Sequence, residues 1–320
     1  MRAVRYHEHG GPNVLQVDEV PTPEPDEDEV RVAVEAAGVN PVDTYFREGS
    51  YQPPELPMIP GSDLAGVVDA VGADVDEFEE GDRVFGTGLG KDQQGTYAEY
   101  ALARADQLAR LPTGVTYPEG AAVALVGVTA WRALVDHADL EPAETALVHG
   151  GSGGVGHVAV QIADAAGARV LTTASPELGR RLPELGANEV FDYRADDLAE
   201  QVVDAGRPDV ILDHRLDDYL DFDAAVCEQG ARVVGIGNTQ PEAGFDDVAA
   251  ARAKEMTLHL MSMYNTPDLG AVLDDLADLM AAGQLVPDIH QTYSLEEAAQ
   301  AQDDVLNESF FGKLVVDVRA

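Results

Sequence analysis

The chain has one cysteine, Cys227, and only three lysines, Lys91, Lys254 and Lys313. A single thiol excludes an internal disulfide framework and any zinc site built from several cysteines. No apolar run reaches the length of about 18 residues that reads as a membrane-spanning helix. The opening MRAVRYHEHGG has no apolar core of a secretory signal, so a cytoplasmic location is the expectation. Positive charge is scarce, with 20 Lys and Arg against 59 Asp and Glu and a formal net charge of −39. Acidic residues recur along the whole length, at 26–29, 74–80, 217–223 and 274–278, which describes an acidic surface and not an acidic tail. Such a surface repels phosphate backbones, so no nucleic acid partner is expected. It also repels itself in dilute buffer, and the repulsion is screened at molar salt, where the Debye length is about 3 Å. The composition therefore points to a halophilic protein from a salt-loaded cytoplasm.

What is present divides the chain by texture. Residues 1–115 hold short alternating runs, among them 30–34, 65–71 and 82–85, each bounded by Gly, Pro or Asp, and predict a β-rich, barrel-like module. From Tyr117 an Ala-rich helical stretch at 119–135 opens a different pattern. Apolar strands at 146–149, 169–173, 190–193, 210–212, 232–237 and 257–261 alternate with helical segments, including 154–166 and one beginning at Glu177. Alternation of this kind predicts a doubly wound parallel sheet, an α/β class domain. The segment 312–318 is strand-like again and is expected to return to the first module. The expected division is 1–117 with 288–320, and 118–287.

Between a strand and a helix stands LVHGGSGGVG, residues 147–156. Gly151, Gly153 and Gly156 fit G-x-G-x-x-G: a tight turn, close backbone approach to a pyrophosphate, and close helix–strand packing. The helix then offers its first N–H groups to phosphate oxygens. An NAD-preferring site places a carboxylate at the tip of the next strand. Here RVLTT runs into Ala174-Ser175-Pro176, with no carboxylate at that tip. Arg180 and Arg181 follow and could supply positive charge to a 2′-phosphate. NADPH is the expected cofactor.

The chain resembles the zinc-free medium-chain dehydrogenase/reductases, in their zeta-crystallin-like quinone oxidoreductase branch. The matching stretches are AAGVNPVDTYFREGSY (36–51), LPMIPGSDLAGVVDAVG (56–72), GDRVFG (81–86), GTYAEYAL (95–102), TAWRAL (129–134), LVHGGSGGVGHVAVQIA (147–163), GANEVFDY (186–193) and GKLVVDV (312–318). The resemblance implies a GroES-like β-rich domain plus a Rossmann domain with the active cleft between them. Zinc-dependent relatives carry Cys where this chain has Asn40, and His-Glu where it has Ser62-Asp63. Asn and Ser are poor zinc ligands, so zinc-assisted alcohol oxidation is excluded and no metal is expected. The pairs His7/His9 and His149/His157 are read as structural or exposed.

The resemblance also implies site residues. Tyr45 matches the tyrosine near the nicotinamide end, and Asn40 lines the same pocket. With Tyr51 they form the expected catalytic set, in which Tyr45 or Tyr51 orients the acceptor. Gly151, Ser152, Gly153, Gly154, Val155 and Gly156 form the pyrophosphate loop. Ser175 and Tyr193 match positions around the adenosine ribose, with Arg180 near them. Gly235, Ile236, Gly237 and Asn238 lie under the cofactor, as do Met261, Ser262 and Met263, and Thr129 reaches the carboxamide. One departure is His214-Arg215-Leu216-Asp217-Asp218, where relatives have a small-residue turn; Asp217 would face the dinucleotide unless paired, with Arg215 as the candidate partner.

With no metal and no Ser–His or Cys–His pair in evidence, the cofactor carries the chemistry and the protein positions it. The expected reaction is hydride transfer from NADPH to a small-molecule quinone. Reduction of an enone or alkenal double bond is the alternative, and NADPH binding without turnover is the alternative of another class. The segment TLHLMSM, 257–263, carries no charge and no proline, the usual guards of a sheet edge, and relatives pair this strand across a two-fold axis. A homodimer through it is expected.

Overall fold

The computed structural model describes residues 1–51 and 55–320. The chain divides into two compact units, 1–128 with 267–320, and 129–266.

The first unit opens with an antiparallel ribbon, β1 (Arg2–Tyr6) and β2 (Leu15–Glu19). Then come β3 (Glu29–Val39), α1 (Pro41–Glu48), β4 (Leu64–Val71), β5 (Arg83–Gly86), β6 (Tyr100–Arg104), β7 (Leu108–Arg110) and α2 (Tyr117–Trp131). In β3 the alternation seen in the sequence becomes an inward face, with Val30, Val32, Val34 and Ala36 all fully buried. α1 starts with Pro41 at its first turn, where the missing N–H costs nothing, and stops at Gly49, which adopts φ 86°. α2 is apolar on all sides and has Ala121 to Val126 buried.

The second unit is a parallel sheet. Its strands are β8 (Thr145–Val148), β9 (Arg169–Ala174), β10 (Glu189–Asp192), β11 (Val210–Asp213), β12 (Arg232–Gly235) and β13 (Thr257–Leu260). The helices between them are α3 (Gly154–Ala165), α4 (Leu198–Ala205), α5 (Leu216–Val226) and α6 (Val248–Ala253). The strand order is β10-β9-β8-β11-β12-β13, every pair parallel, so the direction of winding reverses between β8 and β11. Leu147, Leu171, Ile211 and Val233 from its central strands are fully buried in one cluster.

The chain then returns to the first unit through α7 (Leu269–Ala281), β14 (Ile289–Ser294), α8 (Ala298–Asn307) and β15 (Lys313–Asp317). β15 pairs with the second half of β3, while β6 pairs with its first half, so one long strand carries two neighbours along one edge. The resulting sheet runs β14-β15-β3-β4-β5-β7.

The structure differs from the sequence expectations in four places. Residues 118–128 and 267–287 fall in the first unit, where the side chain of Leu276 on α7 packs closely over Gly127, 2.8 Å from where a Cβ would stand. The segment expected as a helix from Glu177 is a 3₁₀ turn, Gly179–Leu185, with Pro183 inside it, whose ring cannot continue an α-helix. The helix over 119–135 ends at Trp131 and continues as a π-turn, Arg132–His137. The last strand of the parallel sheet ends at Leu260, and Met263–Asn265 forms a 3₁₀ turn, so the edge is shorter than 257–263. No helix among the described residues is long and apolar enough to cross a membrane.

Candidate active site

Because the second unit's strands are all parallel, the segments that follow their C-terminal ends share one edge of the sheet. The loop after β8 sits where the winding reverses, the position at which open α/β sheets bind ligands. That edge of the sheet holds most of the expected cofactor residues: 151–156 after β8, Ser175 after β9, Tyr193 after β10, 235–238 at the end of β12 and 261–263 after β13.

The glycines of the loop have different causes. A Cβ on Gly151 would stand 2.1 Å from the Thr172 hydroxyl, and one on Gly156 would stand 2.1 Å from the Gly150 carbonyl oxygen. Both are therefore required by the protein's own packing. A Cβ on Gly153 would meet nothing nearer than the Gly150 oxygen at 3.3 Å. Packing does not forbid a side chain there, which is what a glycine kept clear for an incoming group would show. Gly150 and Gly151 spend their N–H groups on the Thr173 hydroxyl (3.0 Å) and carbonyl (2.8 Å). Gly153 caps α3, whose first N–H groups have no intrahelical acceptors and no side-chain cap. The residues present fit a pyrophosphate.

Beneath the loop lies a buried polar cluster. His149 Nε2 is 2.8 Å from Asp223 Oδ1, and its ring stacks on Tyr219 at 4.3 Å. Asp213, at the end of β11, accepts from the Arg215 N–H at 2.7 Å. Burial first, then Asp223, pushes its carboxyl up to about 7. His214 packs under Gly150 and is pushed down to about 4, chiefly by burial. The His149/His157 pair is thus structural: His157 Nδ1 is occupied by the Gly153 carbonyl at 2.9 Å. His7 pairs with Asp18, and His9 with the Arg47 carbonyl. Among the described residues no three His, Cys, Asp or Glu side chains stand together as metal ligands would.

Asp217 is paired, but not by Arg215. It accepts from the Thr239 N–H at 2.7 Å and the Gln240 N–H at 3.1 Å, as well as from the Thr239 hydroxyl, and so ties down the loop that contains Gly237 and Asn238. Arg215 pairs with Asp218 instead. Ile236 donates to the Asp213 carbonyl at 2.8 Å, and Met261 to the Gly235 carbonyl at 3.0 Å. The Ser262 carbonyl accepts from Arg132 at 2.8 Å, and Met263 is buried. Thr129 is buried near the end of α2.

At the β9 tip, Ala174 carries no carboxylate, but the register places Asp192 of β10 directly beside it. Asp192 is held at 3.0 Å by Arg194, which also reaches Glu177 and lies 5.4 Å over the Tyr193 ring. Ser175 Oγ accepts from the Leu178 N–H at 3.4 Å, and Arg180 is exposed on the 3₁₀ turn. Arg194 was not singled out by the sequence pattern; the Tyr-Arg step after β10 is its only signal.

In the first unit the structure separates the expected catalytic set. Tyr45 and Tyr51 are exposed, 39% and 54%. Burial, then Tyr51 and Glu48, raise the Tyr45 phenol, which makes it a hydrogen-bond donor and not an acid near neutrality. Tyr51 packs on Phe46 at 5.4 Å. Asn40 is buried, and its amide is engaged at both ends: Nδ2 donates to Asp63 at 2.7 Å, and Oδ1 accepts from Lys313 at 2.6 Å. Ser62 donates to Asp43 at 3.0 Å. Asn40 and Asp63 are thus hydrogen-bonded to each other, and Ser62 to Asp43.

Comparison with known proteins agrees with this architecture. Residues 26–113 match the alcohol dehydrogenase GroES-like domain, and 185–316 match the zinc-binding dehydrogenase family. The quinone oxidoreductase of Lama guanicoe is 40% identical over 99% of this chain and 97% of its own length. That of Homo sapiens is 37% identical, with the same coverage, and that of Pseudomonas aeruginosa is 33% identical over 98% of this chain and 99% of its own. Among solved structures, an NAD-dependent alcohol dehydrogenase superposes with TM-score 0.92 at 32% identity, covering 99% of this chain and all of the other. The Escherichia coli quinone oxidoreductase complexed with NADPH gives 0.89 at 28%, covering 99% of this chain and 100% of that one. With a parallel nucleotide-type sheet, a GroES-like unit and curated quinone oxidoreductase relatives that match over nearly their full length, the chain belongs to the zeta-crystallin-like quinone oxidoreductase branch of the medium-chain dehydrogenase/reductases and is an oxidoreductase.

Proposed function

We propose that the protein is an NADPH-dependent quinone reductase. The observation that carries the reading is Gly153, the loop glycine that the protein's own packing leaves clear, at the reversal point of a parallel sheet. Bound at this loop, NADPH supplies a hydride. Every other task falls to the chain. The loop 151–156 and the start of α3 hold the pyrophosphate with backbone N–H groups. Tyr193, Ser175 and the cations Arg194 and Arg180 surround the adenosine end. Arg194 neutralises Asp192, so the carboxylate beside Ala174 does not stand bare before a 2′-phosphate. The turns 235–238 and 261–263 line the cofactor's side of the same sheet edge, and Thr129 is the residue of this unit assigned to its nicotinamide end. Tyr45 or Tyr51 donates a hydrogen bond that orients the acceptor. Hydride and one proton from water convert a quinone to its hydroquinone, so no strong protein acid is needed.

The proposed assembly is a homodimer through β13, the edge strand of the parallel sheet, whose Leu260 is 73% exposed. An apolar, uncharged edge is a pairing surface.

An acceptor panel in molar KCl tests the reading: benzoquinones, naphthoquinones, alkenals and cyclic enones, followed by NADPH absorbance. Quinones are expected to be the fastest class. Faster reduction of alkenals or enones would replace quinone with that class, and absence of turnover on every acceptor would leave a binding protein.

A further inference from the structure

Lys313 is the one lysine of the three that is almost fully buried, at 3% exposure. It opens β15, and its ammonium donates to the Val39 carbonyl at 2.8 Å and to Asn40 Oδ1 at 2.6 Å. An ammonium in such a place is strongly unfavourable unless it is paired and hydrogen-bonded. Its counter-charge is Asp63, fully buried, which accepts from Asn40 Nδ2 at 2.7 Å and from the Leu125 N–H at 2.9 Å. Two donors aimed at one carboxylate suit the ionised form, an acceptor only. Burial pulls the Lys313 ammonium down, and Asp63 and then Asp43 oppose it.

The consequence is carried by Asn40. Lysine can only donate and a carboxylate can only accept, so the amide has one allowed orientation. Asn40 is also the residue that caps the start of α1, where its N–H donates to Asp43 at 2.9 Å. Asp43 in turn takes the Ser62 hydroxyl at 3.0 Å. The space is tight: a Cβ on Gly38 would lie 2.5 Å from Asp63 Oδ2. Tyr45 stands one helical turn further along α1. The last strand of the chain therefore sets the start of the helix that displays this tyrosine.

We propose that Lys313 is a positioning residue for acceptor reduction: through the Asn40 amide it fixes the first turn of α1 and hence the placement of the Tyr45 hydroxyl. This rests on the proposed role of Tyr45. The test compares Lys313→Met with the double variant Lys313→Met/Asp63→Asn, which removes both buried charges and keeps the fold neutral at that point. Both variants are expected to lose about tenfold or more in kcat, as a displaced orienting group does, while the NADPH dissociation constant stays within about twofold. The double variant regains melting temperature without regaining kcat. Parental kcat in the double variant would overturn the inference, since Lys313 would then do no more than balance Asp63. If Lys313→Met does not fold, the double variant alone decides. Should the parent protein reduce no acceptor, the functional reading fails separately. Crystal structures of the parent and the double variant then decide: a displaced Tyr45 hydroxyl supports positioning, and an unmoved one overturns it.

Discussion

Replacing Asp43 with Asn should flatten the pH dependence of stability in weak acid. Asp43 is fully buried, and burial first, then the neighbouring Asp63, pushes its carboxyl from the ordinary 3.8 up to about 7. The unfolded chain therefore releases this proton near pH 4, while the folded chain keeps it until near neutrality. Between those values the unfolded state binds fewer protons, so stability falls as pH rises, and it levels off above the folded value. A difference of roughly three pKa units at about 1.4 kcal/mol each gives on the order of 4 kcal/mol for this one group. The Asn variant keeps an oxygen for the Asn40 N–H and has no proton to lose. The assay is urea unfolding of parent and variant in constant molar KCl from pH 4.5 to 8. The variant's stability relative to the parent should rise by a few kcal/mol from the acid to the neutral end. The raised carboxylates outside this cluster, Asp213, Asp223 and Asp274, titrate in both proteins and cancel in the difference. A parent–variant difference that is constant across the range would show that Asp43 is ionised throughout and that the buried network has been given the wrong charge.

Other expectations follow from neighbouring features. Gly153→Val should abolish NADPH binding and leave the melting temperature near that of the parent, whereas Gly151→Val, whose Cβ would stand 2.1 Å from the Thr172 hydroxyl, should destabilise the fold itself; fluorescence titration and thermal melting separate the two. Arg194→Ala should weaken NADPH severalfold and leave NADH nearly unchanged, because it bares Asp192 toward the 2′-phosphate; equal losses for both cofactors would remove Arg194 from that role. Leu260→Pro on β13 should convert a species of twice the chain mass in sedimentation to a monomer, and a parent that sediments as a monomer would refute the dimer. Transfer from molar to dilute salt should lower the melting temperature by several degrees, since a net charge of −39 loses its screening.

Much of this molecule was legible before its structure. The glycine loop announced itself because a strand precedes it and a helix follows, and the alternation in β3 marked its buried face. The interior of the first unit was not legible. Asn40, Asp43, Ser62, Asp63 and Lys313 are ordinary polar residues scattered over the sequence, and only the pairing of β15 with β3 brings Lys313 to Asn40. For the same reason Asn40 read as a pocket residue, although it is buried at 1% exposure with its amide engaged at both ends. Asp192 escaped notice because strand-tip reasoning looks along one strand, while the residue beside Ala174 comes from its neighbour. Arg215 stood as the candidate partner of Asp217 because the actual partners, Thr239 and Gln240, lie in a loop with no periodicity to place it.

The central claim is two-electron transfer from NADPH to a quinone, and its most direct test is the stoichiometry of that transfer. Under anaerobic conditions in molar KCl, NADPH and a benzoquinone are incubated with the protein, and NADPH consumed is measured against hydroquinone formed. One hydroquinone per NADPH, with NADH far slower at equal concentration, is the result expected. NADH supporting equal or faster turnover, or NADPH consumed without hydroquinone, would contradict it.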